Sequence, residues 1–316
     1  MKPQMIRAVD VVLVPFVYLS GLLLKFVRAT GVAKLTHCRD ALVDVGVFPV
    51  RDHYYEPQFD LRGLRRDLSE PRRLPGIDWN EEGQLALLDR LGRADELGGI
   101  GTEPTREGEF HFGNGTFEMG DAEFWYQLVR DLKPRRIFEI GSGFSTLMAV
   151  RAIARNRAED PHYACRHVCI EPYEMAWLEK TPVEVRREKV EELDPGFFAE
   201  LAAGDVLFID SSHVIRPEGD VLFEYLELLP TLKPGVTVHV HDIFSPRNYP
   251  AAWLKDEVRF WNEQYLLEAF LAHNADWEIA AALNWLRHAH PDRLGRVCPD
   301  LTEAGEPGSF YLRRIR

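Results

Sequence analysis

Arg136-Ile-Phe-Glu-Ile-Gly-Ser-Gly-Phe-Ser-Thr146 is the stretch whose reading decides the fold. Ile137, Phe138 and Ile140 form a short apolar run, bounded by Pro134 before it and by glycines after it, as expected of a strand buried on both faces of a parallel sheet. Gly141 and Gly143 allow a tight turn and close approach of a ligand to the backbone, and Ser145 or Thr146 can cap the helix that follows. A strand, a glycine turn and a helix N-terminus together make a nucleotide-type site. Two readings of it compete. A dinucleotide fingerprint needs Gly-x-Gly-x-x-Gly, and its third glycine would fall at position 146, which is Thr. Glu139, two residues before the first glycine, lies outside that fingerprint and suits a cationic cosubstrate. The plain structural alternative is a strand-to-helix turn with no ligand.

Working outward, four further strand-like runs follow, His167–Glu171, Val183–Val190, Val206–Asp210 and Val236–His241, each separated from the next by helical pattern. That spacing belongs to βαβ crossovers and a parallel sheet. Upstream, Asp121–Leu132 reads as a helix with Phe124, Trp125, Leu128 and Leu132 as its apolar stripe. Downstream, Trp253–His273 reads as one helix, and Trp277–Leu286 and Ser309–Ile315 as two strands joined by a loop. The expected fold class is therefore α/β, a Rossmann-like doubly wound sheet, mostly parallel with an antiparallel C-terminal edge strand, plus a helical N-terminal extension.

At 316 residues, 46% of them apolar, the chain can bury a substantial core. A net charge of −12 argues against nucleic-acid binding, which calls for a basic face, and leaves small molecules or saccharides as the expected partners. Cys38, Cys165, Cys169 and Cys298 are scattered and read as free thiols of a reducing, cytoplasmic compartment. Asn114-Gly-Thr116 matches a glycosylation sequon, which carries no meaning there.

Residues 1–32 form an apolar N-terminal segment and a candidate membrane anchor. Its uncharged core, Val11 to Leu24, is short against the roughly 20 residues a spanning helix needs, and Pro15 and Gly21 count against a helix. No small-x-small cleavage site follows, and basic residues flank both ends. Attachment to a membrane through residues 8–27 competes with burial on the catalytic domain or in a dimer interface; the oligomeric state is open. Residues 33–109 read as a helical and irregular extension. Within it Ala33–Val47 is helical, Phe48–Pro57 an extended strap, and Glu81–Leu97 a helix stopped by Gly98-Gly-Ile-Gly101. The catalytic domain is placed at 110–316.

Ligands of an open parallel sheet bind at the carboxyl ends of its strands. Glu171 ends the second run, where its carboxylate can accept from two ribose hydroxyls. The fourth run ends in Asp210-Ser-Ser-His213 and the fifth in His239-Val-His241-Asp242. One such residue at a strand end is unremarkable, but two neighbouring ends carrying both a carboxylate and an imidazole point to a reaction centre. His239 precedes that rim by two residues and reads as structural.

The order Glu-x-Gly-x-Gly-x-Ser-Thr, an acidic second strand end, Asp-x-x-His, then Leu232-Lys-Pro-Gly235 leading into His-Asp resembles the class I S-adenosylmethionine-dependent methyltransferases, and more narrowly their small-molecule and sugar O-methyltransferase branch. The resemblance covers residues 110–316. It implies that Glu139, Gly141, Ser142 and Gly143 hold the methionine part of the cosubstrate, that Ser145 and Thr146 support the turn, and that Glu171 takes the ribose. It also implies a divalent cation at Asp210 and Asp242, with His213 as general base for a hydroxyl acceptor; an unperturbed imidazole, with a pKa of about 6.5, suits that role. In one respect the chain departs from the pattern. Where magnesium-binding relatives often carry a second carboxylate, this chain has His241, which favours a transition metal over magnesium or leaves the site incomplete. Ser245-Pro-Arg-Asn-Tyr-Pro250 is placed to contact the acceptor. A catalytically silent, membrane-tethered S-adenosylmethionine-binding or scaffold protein is the alternative, and a nicotinamide-dependent oxidoreductase is disfavoured by Thr146.

Overall fold

The structure is a computed structural model that describes residues 3–50, 55–57, 63–104, 108–173 and 175–316. β1 (Arg136–Ile140) lies inside a seven-stranded sheet with β2 (Arg166–Ile170), β3 (Glu184–Arg186), β4 (Val206–Ile209), β5 (Thr237–Val240), β6 (Trp277–Ala282) and β7 (Phe310–Arg314). The strand order is β3-β2-β1-β4-β5-β7-β6. β1 to β5 are parallel, and β7 runs antiparallel to both β5 and β6, so the expected antiparallel pair closes the sheet, with the reversed strand one place inside the edge.

Both faces of the sheet are covered, which is why its strands read as continuous apolar runs. Alternate residues of β1 and β4 go to opposite cores: Ile137, Val206 and Phe208 pack with α4 (Asp121–Leu132) and α5 (Phe144–Glu159). Phe138, Ile140, Leu207 and Ile209 pack instead with Phe198, Val221 and Leu228. Glu139 therefore points to the α5 side. The sheet order reverses between β1 and β4, and the crevice at that reversal is where an α/β sheet takes its ligand.

The chain forms two compact units, Met1–Asp67 and Leu68–Arg316. The second begins earlier than the domain boundary expected from composition, because Leu87, Leu88, Leu91 and Leu97 contribute to its core. In the first unit α1 (Pro3–Thr30) runs uninterrupted through Pro15 and Gly21, and α2 (Thr36–Val45) stops at Gly46, whose φ is +77°. Most apolar side chains of α1 from Val11 to Phe26 are exposed. The strap expected at Phe48–Pro57 includes residues 51–54, which lie outside the described residues.

Four local expectations need correction. The Glu81–Leu97 helix ends at Arg90 as α3 (Glu81–Arg90), because the buried Gln127 side chain accepts from the Arg93 amide at 2.9 Å and draws the chain out of helical register. Trp253–His273 is two helices, α7 (Ala251–Lys255) and α8 (Glu263–Leu271). Between them the Asn262 amide donates to the carbonyl of His213 and the Asn262 side chain accepts from Ile215, so the segment is tied to the loop after β4. Trp277–Leu286 is a strand only to Ala282. α9 (Leu283–Ala289) and α10 (Pro291–Val297) follow, burying Leu283, Leu286 and Leu294, where a short apolar run could not be told from a strand. Finally, the third strand is confined to three residues, and Val190 opens a helical turn rather than ending the strand.

Candidate active site

The glycine turn is built against the end of β4. Gly141 has φ +74°, and a Cβ there would lie 1.8 Å from the backbone oxygen of Asp210, so only glycine fits. The Asp210 amide donates to the Ile140 carbonyl at 2.9 Å, locking the two strand ends together. Gly143 begins α5, and its amide donates to Thr146 Oγ1 at 3.1 Å.

Glu139 does not reach the crevice. It is fully buried: Oε1 accepts from Ser145 Oγ at 2.6 Å, and Oε2 accepts from Thr146 Oγ1 at 2.9 Å and lies 2.8 Å from His167 Nε2. The His167 imidazole is pushed up to about 10; burial opposes its charge, but Cys169 and Glu139 outweigh it. Glu139, expected at the cosubstrate, thus forms the internal brace of the turn together with Ser145 and Thr146, the two residues expected to support it. Thr146 fills the position of a third glycine because its hydroxyl serves both Glu139 and Gly143.

The crevice itself is a cavity of about 650 Å³ lined by Gly141, Glu171, Tyr173, Lys189, Glu191, Asp210, Arg216, Glu218 and Asp220 among others. Five of these side chains are carboxylates and two are cations, a field that favours a positively charged ligand. Glu171 accepts from the Tyr173 amide at 2.9 Å and is 3.4 Å from the Ser142 amide, so its carboxylate is positioned at the mouth of the turn. Ser142 is buried, and its hydroxyl has no hydrogen-bond partner among the described residues.

Asp210 belongs both to this cavity and to a second constellation beside it. His213 Nε2 is 3.3 Å from Asp210 Oδ1 and 3.5 Å from Asp242 Oδ2, while its Nδ1 is 2.8 Å from Glu263 Oε2. His213 and Asp242 both hold left-handed backbone conformations, with φ +60° and +58°, which few non-glycine residues adopt. Glu263, the first residue of α8, is fully buried and also accepts from Tyr225 Oη at 3.1 Å. It was missed in the sequence because it lies 50 residues from His213 in what reads as the middle of a helix.

Electrostatics distinguish the members of this group. His213 is raised well above its ordinary value: burial disfavours the cation, but Asp210 and Glu263 outweigh burial. Asp210 is lowered by His241 and His213 against the effect of burial, whereas burial raises Asp242. The expectation of an imidazole near 6.5 is thus corrected: three surrounding carboxylates make His213 a better proton holder.

The donor atoms of Asp210, His213 and Asp242 all lie within 4.8 Å of one another, a set that could hold a cation. Two carboxylates and an imidazole oriented by a third carboxylate, Glu263, suit a transition metal better than magnesium. His241, the expected imidazole ligand, is outside that set. Its Nε2 is 3.6 Å from Asp242 Oδ1, its ring packs against Phe117, and Asp242, Asp210 and Asp121 raise its pKa against burial. His239 is fully buried, 3.9 Å from Phe208 ring to ring, with Nε2 2.9 Å from Ser309 Oγ; burial holds it well below its ordinary value.

Comparison with known proteins adds three findings. A family model described as a methyltransferase domain matches residues 138–243. An uncharacterized protein of Archaeoglobus fulgidus is 29% identical over 168 residues, which are 49% of this chain and 74% of that one. The N-terminal domain of EvdMO1, whose crystal structure was determined in the presence of S-adenosylhomocysteine and D-fucose, is 16% identical; the match covers 77% of this chain and 100% of that one at a TM-score of 0.34. At that TM-score the likeness carries nothing about this chain's ligands.

Proposed function

We propose that this chain, whose residues 138–243 match a family model described as a methyltransferase domain, is a class I S-adenosylmethionine-dependent methyltransferase that methylates a hydroxyl of a saccharide or another small molecule. The observation that carries the reading is His213. Glu263 fixes the proton on Nδ1, which leaves Nε2 directed between Asp210 and Asp242, at the edge of the cavity that the glycine turn and Glu171 define. A carboxylate-oriented imidazole beside a donor cleft is suited to deprotonating an acceptor hydroxyl.

In the chemistry proposed, the sulfonium methyl passes in line to the acceptor oxygen, S-adenosylhomocysteine is released, and the hydroxyl proton goes to His213 Nε2. Glu171 takes the ribose, and the backbone at Gly141 and Gly143 approaches the methionine part. Asp210 and Asp242 would hold a divalent cation, which supplies acidity and orientation to the hydroxyl. Without a cation the same two carboxylates favour a proton on His213, so a cation and the Nε2 proton compete, and cation binding promotes proton release from Nε2.

The reading includes attachment to a membrane through α1, supported by Met5–Thr30, 26 residues long and apolar, whose most apolar 18-residue stretch has no buried residue. Full-length protein would sediment with membranes and a chain of residues 32–316 would stay soluble; equal solubility of both removes this part. The catalytic part is tested by comparing His213→Ala with the parent protein. The variant keeps its affinity for S-adenosylmethionine and loses methyl transfer; loss of affinity would make His213 structural.

A further inference from the structure

Beyond Asp242 lies a second cavity, about 220 Å³, whose wall includes Phe244, Arg247, Asn284, His288 and Glu306. It adjoins the reaction centre through both of its sides. Phe244 and Arg247 belong to the loop that leaves Asp242, and Glu306 precedes Gly308, whose carbonyl accepts from the Ile243 amide at 2.8 Å. Gly308 packs so closely that a Cβ on it would lie 3.1 Å from Asp242 Cα.

Two groups in this wall lack partners of their own. The Arg247 guanidinium is partly withdrawn from solvent, and it makes no ion pair or hydrogen bond among the described residues. Its backbone, in contrast, is held: the Arg247 carbonyl accepts from Arg72 at 2.9 Å and from Gln264 Nε2 at 2.8 Å, and its amide donates to the Phe244 carbonyl at 2.9 Å. The one carboxylate of the wall, Glu306, acts on Arg247 only through space and is hydrogen-bonded elsewhere, accepting from Asn284 Nδ2 at 2.7 Å and lying 3.0 Å from His288 Nε2. Asn284 is 1% exposed, and its Oδ1 has no hydrogen-bond partner among the described residues. Because its Nδ2 must donate to Glu306, the amide cannot flip, and Oδ1 remains an acceptor that needs a donor. A buried polar atom without a partner in a cavity wall marks a place where a ligand supplies one.

We infer that this cavity is the acceptor subsite and that it takes a hydroxylated acid, with the anionic group on Arg247 and a hydroxyl donating to Asn284 Oδ1. The inference rests on the methyl-transfer reading and adds the acceptor's charge to it. A fork-shaped guanidinium on a fixed backbone pairs with a carboxylate or phosphate at little ordering cost. Glu306, already engaged, sets the distance of the anion from the far wall and disfavours a second negative group.

The test is binding of matched pairs to full-length protein saturated with S-adenosylhomocysteine: D-glucuronate against D-glucose, D-galacturonate against D-galactose, and glucose 6-phosphate against glucose. At least one acid binds about tenfold or more tighter than its neutral partner, as a charge-assisted hydrogen bond allows. Arg247→Met abolishes that preference, and Arg247→Lys restores part of it. Asn284→Ala weakens the acid without abolishing the preference. S-adenosylhomocysteine affinity, measured on each variant, reports that the fold is intact. Equal binding of acid and neutral partners, a preference that survives Arg247→Met, or absence of binding by every acid overturns the inference. None of these touches the methyl-transfer reading, which fails only if the donor does not bind or no hydroxyl is methylated.

Discussion

Glu263→Gln isolates the group that sets the state of His213. The substitution keeps the size of the side chain and removes one buried charge. Glu263 Oε2 lies 2.8 Å from His213 Nδ1, and burial makes that bond charge-assisted rather than solvent-screened. Such a bond contributes about 1.5–3 kcal/mol, of which a neutral amide oxygen retains a part. With about 1.4 kcal/mol to each pKa unit, His213 falls by roughly one unit or more from its raised value. Proton–nitrogen NMR of the donor-free protein reads that shift directly. In turnover, measured as S-adenosylhomocysteine release across pH at saturating donor, kcat falls about tenfold or more because Nδ1–H loses its charged acceptor, and the acid limb moves to lower pH by a similar unit. Affinity for S-adenosylmethionine stays unchanged, since Glu263 does not line the donor cleft. An unchanged His213 titration, or loss of donor binding in step with kcat, refutes the positioning role.

Two further outcomes follow from the turn. Gly141→Ala is destabilised in denaturant unfolding by more than the roughly 1–2 kcal/mol of left-handed strain alone, because its Cβ meets rigid backbone at Asp210. Gly143→Ala, whose Cβ would have only Met175 Cε at 3.7 Å, folds normally; the reverse order contradicts the account of the turn. The second outcome concerns pH. His167 has a folded pKa raised to about 10, so its contribution to stability is complete below about pH 6.5 and is lost as pH rises toward 10. His167→Gln removes that slope from the pH profile of the unfolding midpoint, and a slope that persists assigns it to another group.

The sheet was legible because burial on both faces leaves an apolar signature in each strand, and β1 and α4 begin and end at the positions their sequence implies. Contacts across the sheet left no such mark. Glu139 reads as a ligand-facing acid at a strand end, but side-chain alternation sends it toward α5, where Ser145, Thr146 and His167 enclose it. His213 and Asp242 were visible as polar residues after strands, whereas their left-handed backbone, which brings His213 into the cation-capable set in place of His241, depends on the packing of the loops. Glu263 was hidden for a related reason: the tie from Asn262 to the His213 carbonyl breaks the helix and delivers the carboxylate to the imidazole. Arg247 and Asn248 stood out in a proline-punctuated loop, but Asn284 and Glu306 gave no signal: the helix that carries Asn284 reads as strand, and Glu306 is one acidic residue in the loop before β7.

Calorimetric titration of the full-length chain with S-adenosylmethionine tests the central claim most directly. Binding of one equivalent per chain is expected, weakened about tenfold or more by Glu171→Ala through loss of a ribose hydrogen bond to a charged group and unaffected by His213→Ala. Absence of binding to the folded protein, or tight binding of a nicotinamide dinucleotide in its place, contradicts it.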